Sequence, residues 1–177
     1  MRLLLSVLLL LAGIGLAGTG LVGIGPAAAA APYTVNSIML LQPQEALQQR
    51  IDGAEPLAAY IKALNAAAQE HLRQAAPGAP ASGYIVVAVR ADGARRIWLD
   101  YAPTLPAAVS GPLRAALERI APMRVRTGAA VFAINASLWG GARASAPPSP
   151  QEWRRAAERA GEPVEAEDLV LRIFDGR

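Results

Sequence analysis

The chain has 177 residues, 53% of them hydrophobic, and its formal net charge of +3 combines sixteen arginines with a single lysine, Lys62. It contains no cysteine, which excludes disulfides and leaves the burial of apolar groups to hold the fold together. With one histidine and no cysteine, zinc sites of the usual kinds cannot be built, so we expect no cofactor and no metal. The basic residues are not interleaved with exposed aromatics, and we expect no nucleic-acid partner.

The N-terminal segment has the composition of an export signal. A basic start is followed by an apolar stretch over residues 3–25 and an alanine run over residues 27–31, the order typical of secretory signals. Ala28 and Ala30 form an A-x-A cleavage site. We predict a signal peptide over residues 1–30 and a periplasmic or secreted protein. The alternative is an uncleaved membrane anchor, because a spanning helix needs roughly 20 residues.

A short N-terminal segment, residues 31–55, precedes the main domain. It contains an apolar patch over residues 37–41 and then a short predicted helix that reaches Ile51. Asp52 and Gly53 are expected to end that helix.

A long amphipathic helix is predicted over residues 56–74. Its apolar positions follow the 3.6-residue helical period, and they are Leu57, Tyr60, Ile61, Leu64, Ala67, Ala68 and Leu72. The Ala- and Pro-rich stretch over residues 75–80 ends the helix and serves as a linker.

A β-hairpin is predicted over residues 83–101. Two β-rich runs, residues 84–89 and 97–99, lie on either side of Asp92 and Gly93. Asp-Gly is a preferred pair for a two-residue type I′ turn. The pattern therefore indicates two antiparallel strands joined by a tight turn.

The two-residue turn also predicts a register. It places Val89 opposite Arg96 and Val87 opposite Trp98, and side chains alternate between the two faces. One face would then be mixed, with Val87 and Trp98 beside Arg96 and Asp100. We expect this face to be partly covered by another element or available to a partner.

The second half of the domain is predicted as a helix followed by strands. The helix runs from Gly111 or Pro112 to Ile120, and the strands cover residues 123–126 and 129–139. The order helix, strand, strand, helix, strand predicts an α+β fold, with a small antiparallel sheet of about three strands and helices packed on it. The last strand is the expected sheet edge.

A C-terminal extension covers residues 142–177. After a Pro- and Ala-rich joint, Ser149 and Glu152 have the spacing of a capping box at the start of a helix that reaches Ala160. A final strand is predicted over residues 169–174. The extension either docks on the domain or hangs loose.

Several features occur together between residues 56 and 141. They are the helix with Tyr60 and Ile61, the strand over residues 85–89, Ala91-Asp92-Gly93, the helix over residues 113–120, Ala121-Pro122, and the closing strand over residues 131–134. In this combination the stretch resembles the C-terminal periplasmic domain of the TonB/TolA superfamily. The resemblance implies a small sheet with helices packed on it, which binds by adding a partner's strand to the sheet edge.

The energy-transducing role of that family is not implied. Its members carry a long charged spacer, whereas residues 32–56 are a short connection here. TonB-type anchors place a histidine about one turn after a serine, but Leu10 stands four residues after Ser6. We therefore carry over the fold and the binding mode alone.

Few groups are suited to catalysis. His71 lies at the end of the long helix, where a solvated or capping role is favoured. Two sets of acidic residues remain as acid–base candidates. They are the pair Asp100 and Glu118, and the cluster of Glu165, Glu167 and Asp168. Paired acids in a cleft can hydrolyse glycosidic bonds, whereas an ion pair with a nearby arginine is the alternative interpretation.

We expect an exported, non-catalytic protein-binding or adaptor module, whose partner is another envelope or secreted protein bound by strand addition. The candidate partner surface consists of Val87, Arg96, Trp98, Phe132 and Trp139. Two alternatives stay open. One is a carboxylate-dependent envelope hydrolase, and the other is a membrane-tethered assembly factor, which would contact the membrane through an uncleaved N-terminal segment.

Overall fold

A four-stranded antiparallel sheet organises residues 30–176, the part of the chain that the computed structural model describes. The elements are β1 (Tyr33–Leu40), α1 (Gln44–Arg50), α2 (Ala54–Gln74), β2 (Ala81–Arg90), β3 (Arg95–Ala102), α3 (Ala107–Glu118), β4 (Ala129–Leu138), α4 (Gln151–Ala160) and α5 (Ala166–Phe174). The α+β class is confirmed. The predicted export segment lies outside the described residues except for Ala30, and within residues 30–176 no helix has the length and apolarity to span a bilayer.

The strand order is β1-β4-β2-β3, so the sheet has one strand more than predicted. The prediction that residues 129–139 form the edge is wrong, because β4 lies between β1 and β2 and all ten of its residues are buried. The added strand, β1, has a bulge between Val35 and Ser37, which interrupts the two-residue alternation that marks a strand. The predicted strand over residues 123–126 is reduced to one bridge between Ile51 and Val125.

The predicted β2–β3 hairpin is present, but its register is shifted by one residue. Val87 pairs with Ile97, and Trp98 pairs with Val86. The loop has three residues, since Arg90 N–H donates to the Ala94 carbonyl at 2.8 Å. A third loop residue with positive φ is typical of this longer turn, and Gly93 has a φ of 82°.

This shift reverses the side chains of β3 relative to β2. The predicted mixed face, with Val87 beside Trp98, is therefore wrong. Val87 belongs to one hydrophobic cluster and Trp98 to the other. We call the side of the sheet that carries Val87 and Phe132 the first face, and the side that carries Val86 and Trp98 the second face.

Helices α1, α2 and α3 pack on the first face. Leu64 of α2 and Leu113 of α3 are fully buried against the strands. The ring of Tyr60 meets that of Phe132 edge-on, with centroids 6.1 Å apart and an interplanar angle of 83°, a favoured aromatic geometry. The helix predictions here are confirmed, although α3 begins at Ala107, several residues before the predicted start.

Helices α4 and α5 pack on the second face, so the C-terminal extension docks. The predicted strand over residues 169–174 is wrong, because this segment is α5. Leu169, Val170 and Ile173 are buried at helical spacing. Two acidic residues in the first turn of α5 also favour a helix start. Helix α4 matches its predicted bounds, but Pro150 is its N-cap residue and no capping-box hydrogen bond forms.

Glu167 is the polar anchor of α5. Its carboxylate accepts hydrogen bonds from Arg50 Nε at 2.9 Å, from Gln42 Nε2 at 2.9 Å and from the Ala129 N–H at 3.1 Å. Burial raises the pKa of Glu167, but the hydrogen bonds from Arg50 and Ala129 outweigh it, and the pKa lies below its usual value. The anchor thus joins α5 to α1 and to the start of β4.

Replacing Glu167 with glutamine should lower the free energy of unfolding at neutral pH by about 1.5–3 kcal/mol, the usual range for hydrogen bonds to charged groups. The pKa of this carboxyl is lower in the folded state. Its contribution is therefore present above the unfolded-state pKa and is lost as the pH falls through the folded-state value. Urea unfolding at a series of pH values should show the difference between wild type and Glu167→Gln shrinking in acid.

The matched control is Glu165→Gln, which removes an exposed carboxylate that forms no ion pair within residues 30–176. Because Glu165 is the N-cap residue of α5, its replacement should cost at most about 0.3–1 kcal/mol, the interaction of an exposed charge with a helix N-terminus. Equal stability of Glu167→Gln and wild type at neutral pH would show that Glu167 does not anchor α5.

Candidate functional site

The exposed edge of β3 forms the floor of a groove of about 610 Å³. Residues 95–101 form this floor, and α3 contributes Arg114 and Glu118 to one wall. The other wall, at the start of α4, consists of Pro150, Gln151, Glu152 and Arg154. We call this cavity the β3 groove. It arises because α3 packs on the first face and α4 on the second, with the strand edge open between them.

The main chain of β3 is presented to this groove in an alternating pattern. Arg90 and Ala94 share a main-chain hydrogen bond across the hairpin, so every second residue after Ala94 faces β2. The residues between them, which include Ile97 and Leu99, direct their N–H and C=O groups away from β2. These are the groups with which an added strand would pair.

Four arginines and three acidic residues line the β3 groove. Arg96 forms an ion pair with Glu152 at 3.1 Å. Arg95 donates to the main-chain carbonyl of Glu118, and Arg154 donates to that of Ser149. Arg95 and Arg154 therefore keep their positive charge without a carboxylate partner in the described part of the chain.

Arg114 is the fourth arginine of the groove. It is exposed on α3 and forms no ion pair within residues 30–176. Arg114 and Glu118 have the i,i+4 spacing of a helical ion pair, but that pair does not form. Both groove walls thus carry a guanidinium group that is open to an anionic partner.

Trp98 lies between the groove and the second-face core. Its indole Nε1 donates to Glu152 at 2.6 Å, and its ring meets that of Trp153 edge-on, with centroids 5.5 Å apart. Only 8% of Trp98 is exposed. Trp98 is therefore mainly a core residue that holds Glu152 and Trp153 of α4 in place, and little of its side chain is accessible to a partner.

The five residues predicted as a partner surface do not form one. Arg96 and Trp98 line the β3 groove, but Val87 and Phe132 are fully buried on the first face. Trp139 is also buried, and a Cβ atom on Gly78 would lie 2.6 Å from its ring. The prediction failed because it used the wrong hairpin register and treated β4 as an edge.

The carboxylate pair Asp100 and Glu118 does lie in the same groove. Asp100 accepts a hydrogen bond from the Ser149 N–H at 2.7 Å, which holds the start of α4 close to β3. In the other predicted cluster, Glu167 is occupied by its hydrogen bonds to Arg50 and Ala129. Within residues 30–176, no group of three or more acidic or histidine side chains could hold a metal ion.

Sequence reasoning missed Arg114 and Arg154 as groove residues. Each lies on a predicted helix, but nothing local relates α3 to α4. The sequence did contain a signal that β3 is an edge strand. Arg95 and Arg96 precede its short apolar run, and charged residues are common on strands at the edge of a sheet.

No protein-family model, curated protein or solved structure matches this chain.

Replacing Trp98 with alanine should lower the free energy of unfolding by about 3–5 kcal/mol, the range for removing a large aromatic side chain from a core. The physical reason is the loss of the Trp153 contact and of the Glu152 hydrogen bond. Urea denaturation followed by far-ultraviolet circular dichroism measures this loss.

Trp98→Phe is the matched control, because it keeps an aromatic ring against Trp153. It should lose a smaller part of the stability than Trp98→Ala. Equal stability of Trp98→Ala and the wild type would show that Trp98 is not a core residue.

Proposed function

We propose that this protein is a non-catalytic binding module that takes up an extended segment of a partner protein as an additional strand in the β3 groove. The observation that carries the proposal is the open main-chain edge of β3, which lies between two helices in a cavity of about 610 Å³. Strand addition combines main-chain hydrogen bonds for affinity with side-chain contacts for specificity.

The groove walls support this mode of binding. The side chains of an added strand alternate between the two sides of the sheet, so they would contact α3 and α4 in turn. Each wall carries an arginine that has no carboxylate partner in the described part of the chain, Arg114 on α3 and Arg154 on α4. A segment with acidic side chains on both of its sides fits these charges.

The resemblance of residues 56–141 to the TonB/TolA C-terminal domain supports the same mode, because strand addition is what that resemblance implies. The partner we propose is another envelope or secreted protein. This follows from the predicted export segment, which would place the module in the periplasm or outside the cell.

Replacing Leu99 with proline should abolish capture of extended peptides. Leu99 directs its N–H away from β2, so proline removes a donor that an added strand needs while the β2–β3 hydrogen bonds remain. The test selects peptides from a random displayed library against protein expressed from the full-length sequence. Binding of the selected peptides to each variant is then measured by fluorescence anisotropy.

The matched control is Leu99→Ala, which shortens the same side chain but keeps the N–H group. The proposal expects peptides that bind the wild type and Leu99→Ala, but not Leu99→Pro. Circular dichroism verifies that all three are folded. A library that yields no binder, or binders that Leu99→Pro retains, would refute strand addition at β3.

The selected peptides should be acidic, and their affinity should depend on the two wall arginines. Changing Arg114 and Arg154 together to glutamine should weaken binding by about two- to thirtyfold, since two exposed ion pairs are lost and each is worth about 0.2–1 kcal/mol. Added salt should weaken binding to the wild type more than to this double variant.

The matched control changes Arg119 and Arg155 to glutamine. These two exposed residues lie at the end of α3 and on α4, outside the groove, and the net charge changes equally. The control should leave the affinity near that of the wild type. Equal losses in both double variants would show that binding depends on overall charge and not on the groove.

A further inference from the structure

The opposite edge of the sheet, β1, carries an exposed apolar strip. Val35, Ile38 and Leu40 are 41%, 40% and 43% exposed. Within residues 30–176 these are the large hydrophobic side chains that remain exposed. We call them the β1 strip. The remaining large apolar side chains of the described chain are buried or partly buried, so this concentration on one edge strand is not expected of an unpartnered surface.

The three residues of the β1 strip share one face. Their partners on β4 are Ala136, Ile134 and Phe132, all of which belong to the first-face core. The strip therefore continues that core to the margin of the sheet. The bulge between Val35 and Ser37 makes this possible, because it brings residues three apart onto one side.

The same residues also direct their main chain outward. Leu41 N–H donates to the Val131 carbonyl at 3.2 Å, so alternate residues back along the strand face β4. Leu40 and Ile38 fall between these positions. Their N–H and C=O groups consequently point away from β4, toward any strand that would lie beside β1.

Edge strands of soluble proteins are usually protected by charged residues, proline or a covering element. Strand β1 contains neither a charged residue nor a proline. Arg143 does contact it, donating to Ser37 Oγ at 3.1 Å, but Ser37 pairs with Asn135 and lies on the second face. On the first face the strip is left without a charge.

We propose that β1 pairs antiparallel with β1 of a second copy of this chain, around a two-fold axis perpendicular to the sheet. Strand β1 contributes no charged residue of its own to such a pair, whereas two copies of the arginine-bearing β3 edge would repel. A two-fold axis in this direction keeps equivalent faces on the same side. The β1 strips of both copies would therefore lie side by side, and the interface would be closed and symmetric.

The dimer would have a continuous eight-stranded sheet, with a β3 groove at each end. Pairing at β1 and capture at β3 use opposite edges, so the dimer does not depend on the proposed peptide binding. If both hold, the assembly is bivalent, and a partner with two acidic segments would bind with higher avidity than a single groove allows.

The test is the mass of the protein in solution, measured by sedimentation equilibrium over a wide range of concentrations on material expressed from the full-length sequence. The wild type should have twice the mass of one chain. Ile38→Lys places a charge in the strip of each copy and should give a folded monomer. Ala66→Lys adds the same charge at an exposed position of α2 and should remain dimeric.

Ile38→Thr is a second variant that keeps the test valid if Ile38→Lys does not fold. Threonine retains the β-branched shape and is well tolerated in strands. It should raise the dimer dissociation constant by roughly tenfold or more, since both copies lose buried apolar surface. A monomeric wild type, or a dimer that persists in a folded Ile38→Lys or unchanged in Ile38→Thr, would overturn the proposal. Per-chain peptide binding by Ile38→Lys should be unchanged, so failure here is distinct from failure at β3.

Discussion

Strand β4 is buried along its whole length, from Ala129 to Leu138, and neither of its faces can be left to water. A sheet buried on both sides needs a helical layer on each. Helices α1 to α3 supply the first, and α4 and α5 the second. The C-terminal extension is consequently part of the fold. The hydrogen bonds of Glu167 to Arg50 and Ala129 link it to α1 of the first layer and to strand β4 of the sheet.

With β4 and β2 in the centre, β1 and β3 become the edges, and the two edges differ in ways that suggest different partners. Strand β3 lies in a groove between α3 and α4 and carries arginines. Strand β1 presents apolar side chains on an uncharged edge. The centre of the sheet is thus closed by packing, and its two edges are left open. Both proposals, peptide capture at β3 and self-association at β1, use these open edges.

Much of the fold could be predicted, and the failures have identifiable causes. Helix α2 has an uninterrupted 3.6-residue pattern, which tertiary contacts reinforce. The Asp-Gly pair at residues 92–93 located a turn, but it is compatible with loops of two or three residues, and one residue reverses a strand. The apolar run at residues 169–174 is short, and periodicity alone does not separate a short strand from a buried helix. Of the candidate site, the sequence pointed to Arg96 and Trp98 as surface residues and to Asp100 and Glu118 as a carboxylate pair, and all four line the β3 groove. Arg114 and Arg154 could not be placed there, because nothing local relates α3 to α4.

The sequence by itself determined the α+β class, the positions of α1 to α4 and of the β2–β3 hairpin, and the exclusion of disulfides. These depend on local periodicity, turn residues and composition. Only the tertiary structure decided the central place of β4, the hairpin register, the docking of α5, and the faces of the sheet on which Val87, Trp98 and Phe132 are buried. Each depends on contacts between residues far apart in the chain, and no local pattern encodes which distant partners will meet.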